Sequence, residues 1–333
     1  PGVSPDRLSP RVVETARRFW VLYTGFTLVI TLVLWAVPGP TLYDAVTHAF
    51  TTASTGGFST YDDSIGHFDS VLVEVVLIVG MVYGAANFAL HWRALHSGAR
   101  AYALSSEFRA YLVFLGLGVT MVAGLLVVDG TLGVGSAVRA GAFNAVSLGT
   151  STGFGNATGT GTAGDYTSWV PGPQLILLSM MVFGGMTGST SGGAKTIRLQ
   201  VGAKHAWRML RESRHPRAVF ALRLGRDAVP ETTVERIAGF MWLYGLIALA
   251  GTLAVTALGS DPTTALGGVV SAMGNMGPAL GEAGPTASFI DGYSRPARMV
   301  LALLMLVGRL ELFPMLLLLA APSRSIDRWR RAH

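Results

Sequence analysis

Three short glycine-bearing loops hold the residues best suited to chemistry: Ser54-Thr55-Gly56-Gly57-Phe58-Ser59-Thr60, Thr150-Ser151-Thr152-Gly153-Phe154-Gly155-Asn156 and Gly274-Asn275-Met276-Gly277-Pro278. A dehydrated K+ ion needs a cage of oxygens in place of its water, and backbone carbonyls can supply one. Glycine lets the chain turn those carbonyls inward without a Cβ clash, and Thr or Ser beside it adds hydroxyl oxygen. An isolated stretch of this kind reads as an ordinary turn. Here each one follows a short apolar segment at a matching position, which points to a shared site. The candidate filter residues are Ser54, Thr55, Gly56, Gly57 and Phe58, then Ser151, Thr152, Gly153 and Phe154, then Asn275, Met276, Gly277 and Pro278. The double glycine leaves the register of the first loop open. Gly57 aligns through the Phe that follows it, but Gly56 serves equally well as the filter residue.

A fourth feature interrupts the apolar stretch that begins at Gln174: Gly184, Gly185, Met186, Thr187, Gly188, Ser189, Thr190, Ser191, Gly192, Gly193, Ala194 and Lys195. Gly188 to Thr196 lies one residue from a phosphate-cradling P-loop, but Ala194 misplaces the Lys and the preceding segment has the composition of a membrane helix. Close helix packing is the plainer reading for small pairs such as Gly80-x3-Gly84. The longer run breaks a helix more than packing requires, so it is a candidate gate beneath the filter. Arg309 falls about halfway along the last apolar stretch, with Glu311 two residues on. A charge at that depth faces a cavity or a partner, since the headgroups are roughly four helical turns away. Glu74 and Asn87 read as polar contacts between helices.

Other chemistry is excluded. The chain has no Cys, so disulfides, Fe–S clusters and thiolate zinc are ruled out, and the 7 His show no metal-ligand spacing. The centre of Gly188–Gly192 is Thr190, not a nucleophilic Ser, so the chain is expected to be no enzyme and to need no cofactor. The sequon Asn156-Ala157-Thr158 is taken as chance.

The elements that position these loops are set by hydropathy. Half of the 333 residues are hydrophobic and 13% are charged, against about 25% in soluble domains, and the mean hydropathy is +0.48. Stretches suited to crossing a bilayer, which takes about 20 apolar residues, lie near Phe19–Val37, Val71–Leu90, Tyr111–Val128, Gln174–Met186, Ile237–Leu258 and Ala297–Ala321. The fourth continues as a broken crossing toward Val201. Thr41–Ala53, Gly135–Leu148 and Thr263–Met273 are too short to span and fit re-entrant half-helices. The order span, half-helix, glycine loop, span thus occurs three times, and loops at lipid depth must share a polar axis.

Charge orients the chain. All but five of the 25 Lys and Arg fall in Pro1–Arg18, Trp92–Ala110, Lys195–Arg226 and Pro322–His333, which places those segments in the cytoplasm. The opposite loops carry Asp44, Asp62, Asp63, Asp69, Asp129, Asp165, Asp261, Glu282 and Asp291, an acidic outer face that would concentrate cations. The net charge of +6 therefore follows topology, and no nucleic-acid partner is expected.

Gly56 to Asp62 with Ser64-Ile65-Gly66 resembles the second pore loop of TrkH-type subunits in the Trk/Ktr/HKT superfamily, and Thr150 to Phe154 the third. Gly184 to Lys195 is similar to the family's intramembrane gating loop, Asn275 to Gly281 to its fourth pore loop, and Gly308 to Glu311 to its last helix. Glu14-Thr15-Ala16 and His215-Pro216 match as well, so the resemblance spans nearly the whole chain. It implies an all-α membrane protein of helix–pore-helix–helix units around a pseudo-fourfold ion pore. Residues 1–110, 111–226 and 227–333 would be the second, third and fourth repeats, with the first absent and the chain a fragment.

The resemblance further implies K+ transport across the cell membrane, with K+ as the only metal. Arg309 is expected to touch the gate, and a nucleotide-binding ring to dock on the basic segment Lys195–Arg226 of a homodimer surrounded by lipid. A coupled Na+ or K+ transporter of the same superfamily is the alternative. A transporter built on inverted repeats is disfavoured, because these repeats keep one orientation.

Overall fold

The first and third half-helices begin where the sequence supplies a cap. Thr41 and Asp44 form a capping box that starts α2 (Leu42–Ala53) after the long α1 (Val12–Ala36). At the third half-helix, Asp261 accepts from the amides of Thr263 and Thr264 and Pro262 occupies the first turn of α11 (Pro262–Gly274). The second half-helix, α7 (Val134–Gly149), simply follows Gly133. All three match the expected short segments within two residues.

The computed structural model describes residues 12–215, 220–225 and 227–310. Its other helices are α3 (Val71–Gly84), α4 (Phe88–Ser97), α5 (Arg100–Leu104), α6 (Ser106–Val128), α8 (Pro171–Val182), α9 (Thr196–Arg214), α10 (Glu231–Ala257), α12 (Phe289–Gly292) and α13 (Arg295–Arg309). Among the described residues the only sheet is a two-residue ladder, β1 (Arg223–Leu224) with β2 (Asp227–Ala228), within the basic segment. The fold is all-helical, as expected.

Among the described residues, three helices are each long and apolar enough to cross a bilayer: Glu14–Ala36, Ser106–Val128 and Glu231–Ala257. The expected straight span Val71–Leu90 is corrected: α3 and α4 meet at a 96° bend. Gly84 ends α3 at that bend, and Asn87 caps the start of α4. The bend is held by the candidate gate, because the Met186 amide donates to the Ala85 carbonyl at 2.8 Å and the Phe88 amide to the Gly188 carbonyl at 3.1 Å. Another chain segment thus satisfies backbone groups that a bent helix frees, which at lipid depth is required. The fourth apolar stretch is interrupted, as expected, between α8 and α9. Glu311 and the stretch to Ala321 lie outside the described residues, as does Pro216.

Each half-helix sits in its own apolar cluster. Ala45 and Ala49 of α2 cluster with Leu77, Phe143 and Phe154, Leu148 of α7 with Leu115 and Met180, and Ala265 and Val269 of α11 with Leu301. Gly80 acts as a packing residue: a Cβ there would lie 2.7 Å from Thr52 Cγ2 and 3.1 Å from Ile30 Cδ1. The outer faces expose Trp20, Leu28, Leu32, Trp242 and Leu253, surface that lipid solvates without penalty. Glu74 and Arg139 join α3 to α7 by a 2.8 Å ion pair, and Asp69 shares the same guanidinium at 2.8 Å. The expected interhelix role of Glu74 is therefore met.

Candidate functional site

The three glycine loops share one backbone pattern. Thr55 and Gly57 have φ of +50° and +63°, Ser151 and Gly153 +60° and +96°, Asn275 and Gly277 +55° and +106°. The residue between each pair turns its amide back onto the half-helix. Gly56 N donates to Thr51 O at 2.8 Å, Thr152 N to Ser147 O at 2.9 Å and Met276 N to Ser271 O at 3.1 Å. This alignment closes the register question: Gly57 matches Gly153 and Gly277, while Gly56 matches Thr152 and Met276. Three non-glycine residues in the left-handed region within one site are strain that the surrounding structure must hold.

Six residues ahead of each of these glycines stands a hydroxyl that braces the loop. Thr51 Oγ1 donates to Phe58 O at 2.8 Å, Ser147 Oγ donates to Phe154 O at 2.7 Å, and Ser271 Oγ accepts from Gly277 N at 3.1 Å. The sequence reading passed over Thr51, Ser147 and Ser271, although their constant offset from the glycine was visible.

The loops converge. A Cβ on Gly57 would lie 2.1 Å from Thr152 O, and one on Gly153 would lie 2.1 Å from Met276 O. At these two positions glycine is required both by φ and by a neighbouring carbonyl. Gly277 has nothing within 4 Å of its Cβ position among the described residues. Phe154 is buried against His48, with ring centroids 6.0 Å apart. Phe58 is 76% exposed.

The Gly184–Lys195 segment lies against the C-terminal ends of all three half-helices. The Thr190 hydroxyl is 3.1 Å from both Ala53 O and Gly84 O and 3.2 Å from the Thr55 hydroxyl. Ser151 Oγ donates to Gly274 O at 2.9 Å and accepts from Gly192 N at 2.8 Å. A Cβ on Gly192 would lie 2.0 Å from Gly274 O. Asn87 caps α4 by accepting from Leu90 N and donates from Nδ2 to Thr187 O at 2.6 Å. The Thr187 amide donates to Glu107 at 2.7 Å, a partner the sequence did not single out. Ser189 and Ser191 are hydroxyl to hydroxyl at 2.8 Å. The Lys195 ammonium folds back onto the Ser191 carbonyl. The segment follows helix α8 rather than a strand, which removes the P-loop reading.

Arg309 ends α13 and its Nη1 donates to Thr190 O at 3.2 Å. Its side chain is exposed within the described chain, so the expected burial of this charge is not met by these residues. Gly184 and Gly185 approach Gly192 O and Ala85 O within 2.0 and 2.3 Å of their Cβ positions, and Gly188 and Gly193 have φ of +74° and +73°. Among the described residues no group of His, Cys, Asp or Glu could hold a metal.

A family model described as "TrkH: Cation transport protein" matches residues 5–328. The chain is 35% identical over 325 residues to the "Trk system potassium uptake protein TrkH" of Vibrio parahaemolyticus, covering 96% of this chain and 64% of that protein. It is 31% identical over 318 residues to the "Trk system potassium uptake protein TrkI" of Halomonas elongata, covering 94% and 62%. The crystal structure of the potassium transporter TrkH from Vibrio parahaemolyticus superposes with a TM-score of 0.85 at 32% identity, covering 93% of this chain and 65% of that one. The chain thus spans less than two thirds of the length of these relatives.

Proposed function

Because this chain belongs to the TrkH family of cation transport proteins and carries several bilayer-crossing helices, we propose that it conducts K+ across the cell membrane through a filter of backbone carbonyls. The family is one of transport proteins and not of enzymes. The observation that carries the reading is the repeated backbone state: positive φ at the same two positions of three loops, each loop ending a half-helix and the three joined by two carbonyl-to-glycine contacts. A filter must replace hydration with oxygens held at fixed separation, and this arrangement supplies both the oxygens and the bracing. K+ is the substrate, and no resident cofactor takes part. Residues 1–110, 111–226 and 227–333 serve as three repeats of a pseudo-fourfold pore. The segments rich in Lys and Arg face the cytoplasm.

Gating is assigned to Gly184–Lys195 with Arg309. The segment is tied to Ala53, Gly84 and Gly274, at the ends of elements that carry the filter, so its displacement would be felt there. Arg309 places a positive charge on its Thr190 carbonyl, and at this exposed position such a charge repels a cation a few ångströms away by about 1–4 kcal/mol. A homodimer with a nucleotide-binding cytosolic ring completes the reading. Of the basic residues on α9, Arg208 is engaged by Glu231 at 2.6 Å and Arg211 lies over the Phe220 ring at 4.3 Å, so exposed Arg214 is the better docking candidate.

The test is uptake by the full-length protein in bacteria lacking their own K+ uptake. Growth on low K+ and K+ preference over Na+ are expected, and both should fall in Gly153→Ala. Equal uptake of the two ions would favour the Na+-linked alternative.

A further inference from the structure

Nine residues ahead of Gly57, Gly153 and Gly277 stand His48, Asn144 and Gly268. The first two side chains turn back along their own half-helix to the carbonyl four residues earlier: His48 Nδ1 lies 2.8 Å from Asp44 O, and Asn144 Nδ2 donates to Ala140 O at 3.0 Å. The third half-helix has no side chain at that position. A Cβ on Gly268 would lie 2.1 Å from the Tyr293 hydroxyl, and this hydroxyl donates to Thr264 O at 2.8 Å. Asp44, Ala140 and Thr264 hold one position, thirteen residues ahead of the glycine. The same carbonyl therefore receives an extra donor in each repeat, from three unlike side chains that are 2%, 0% and 2% exposed.

Each donor also fastens the chain beyond its loop. The Asp44 carbonyl only accepts, so Nδ1 carries the His48 proton and Nε2 accepts from the Ser59 hydroxyl, 2.9 Å away. Asn144 Nδ2 has two hydrogens to share among Ala140 O, Asn156 Oδ1 at 2.9 Å and Gly164 O at 3.1 Å. Tyr293 lies on the segment that follows the third loop, where Thr264 Oγ1 also accepts from Glu282 N at 3.0 Å. Packing alone would be met by apolar groups, because a buried polar atom is costly unless bonded. That imidazole, amide and phenol converge on one carbonyl shows that the constraint is the hydrogen bond and not the shape.

We propose that His48, Asn144 and Tyr293 are equivalent positioning residues, polar pins behind the three half-helices that set how far each filter loop stands from its helix. The proposal rests on reading the loops as an ion filter. The pins touch no ion. They act through the loop backbone by keeping the carbonyl ring from widening.

The experiment measures the K+/Na+ flux ratio per folded protein for the full-length protein in liposomes, with Gly153→Ala as the benchmark for filter damage. His48→Leu, which keeps bulk and removes the bonds, is expected to lower the ratio by about fivefold, roughly what one net hydrogen bond is worth. His48→Asn, the residue that the second half-helix already uses, is expected to stay near the parent. Should His48→Leu fail to fold, Tyr293→Phe deletes only a hydroxyl and is expected to lower the ratio similarly. The pins are refuted if the removing variant matches the parent while Gly153→Ala loses discrimination, or if His48→Asn is as impaired as His48→Leu. If Gly153→Ala also matches the parent, the filter reading falls and the pins fall with it.

Discussion

Arg309 reaches the carbonyl of Thr190, and the hydroxyl of the same Thr190 touches the carbonyls that end α2 and α3. One residue of the proposed gate therefore links the cation on the last described helix to the first filter loop. Arg309→Ala removes both the charge and a charge-assisted bond of about 1.5–3 kcal/mol, so basal K+ flux per folded subunit should rise by about tenfold. Arg309→Lys, a point charge without the planar fork, should fall between. Unaltered flux per subunit with a lower folded yield would mean that Arg309 only supports the fold.

The two adjacent glycines of the first loop should behave differently. Gly57 has positive φ and a carbonyl 2.1 Å from its Cβ position, whereas Gly56 lacks positive φ and would meet only Ser54 Oγ at 3.1 Å and the Phe58 ring. Gly57→Ala should abolish K+ preference, with about 1–3 kcal/mol of backbone strain added to the clash. Gly56→Ala should be nearly silent. The reverse ranking in uptake assays would move the filter register by one residue.

Asn87 has two duties that can be separated. Asn87→Asp keeps the oxygen that caps α4 but turns the donor facing Thr187 O into an acceptor. Helicity and yield should hold while flux rises. Asn87→Ala should also lose the cap, at about 1 kcal/mol. Thermal unfolding alongside flux distinguishes the two, and a silent Asn87→Asp would detach the bend from gating.

Glu74 is 2% exposed and depends on Arg139 and Asn156, bonded at 2.8 and 3.2 Å. Arg139→Ala strands a buried carboxylate and should cost about 3–5 kcal/mol. Asp69→Asn, at an exposed oxygen of the same guanidinium, should cost less than about 1 kcal/mol. Similar losses from both, read by thermal stability in detergent, would show that burial of Glu74 carries no penalty.

Asp261 should give a small acid-linked loss of stability. Burial pushes its carboxyl up, but hydrogen bonds from Thr264 and Thr263 outweigh that and hold it below the usual carboxylate range. A lowered folded value means that the contribution is complete above the unfolded pKa of about 3.9 and disappears as pH falls through the folded one. Asp261→Asn should flatten the stability curve below about pH 4. An unchanged acid limb would remove the cap from the account.

Hydropathy alone was enough to place the half-helices α2, α7 and α11 and the interruption at Gly184–Lys195, because all of these are one-dimensional signals. A run of about 20 apolar residues has few alternatives in a bilayer, and an interruption rich in glycine cannot continue as helix there. The recurrence of a glycine after each half-helix was likewise visible as spacing. The bend between α3 and α4 was not read there, although Gly84 and the capping Asn87 flank it, and its freed backbone groups are bonded by Met186 and Gly188 from a hundred residues away. The register of Gly56 against Gly57 also waited for the fold: both are glycine, and only the sign of φ and the approach of Thr152 O tell them apart. The contact between Arg309 and Thr190, and the substitution of Tyr293 for a missing side chain at Gly268, belong to tertiary structure for the same reason. Local sequence determines which backbone states are cheap, whereas packing decides which distant group completes each bond.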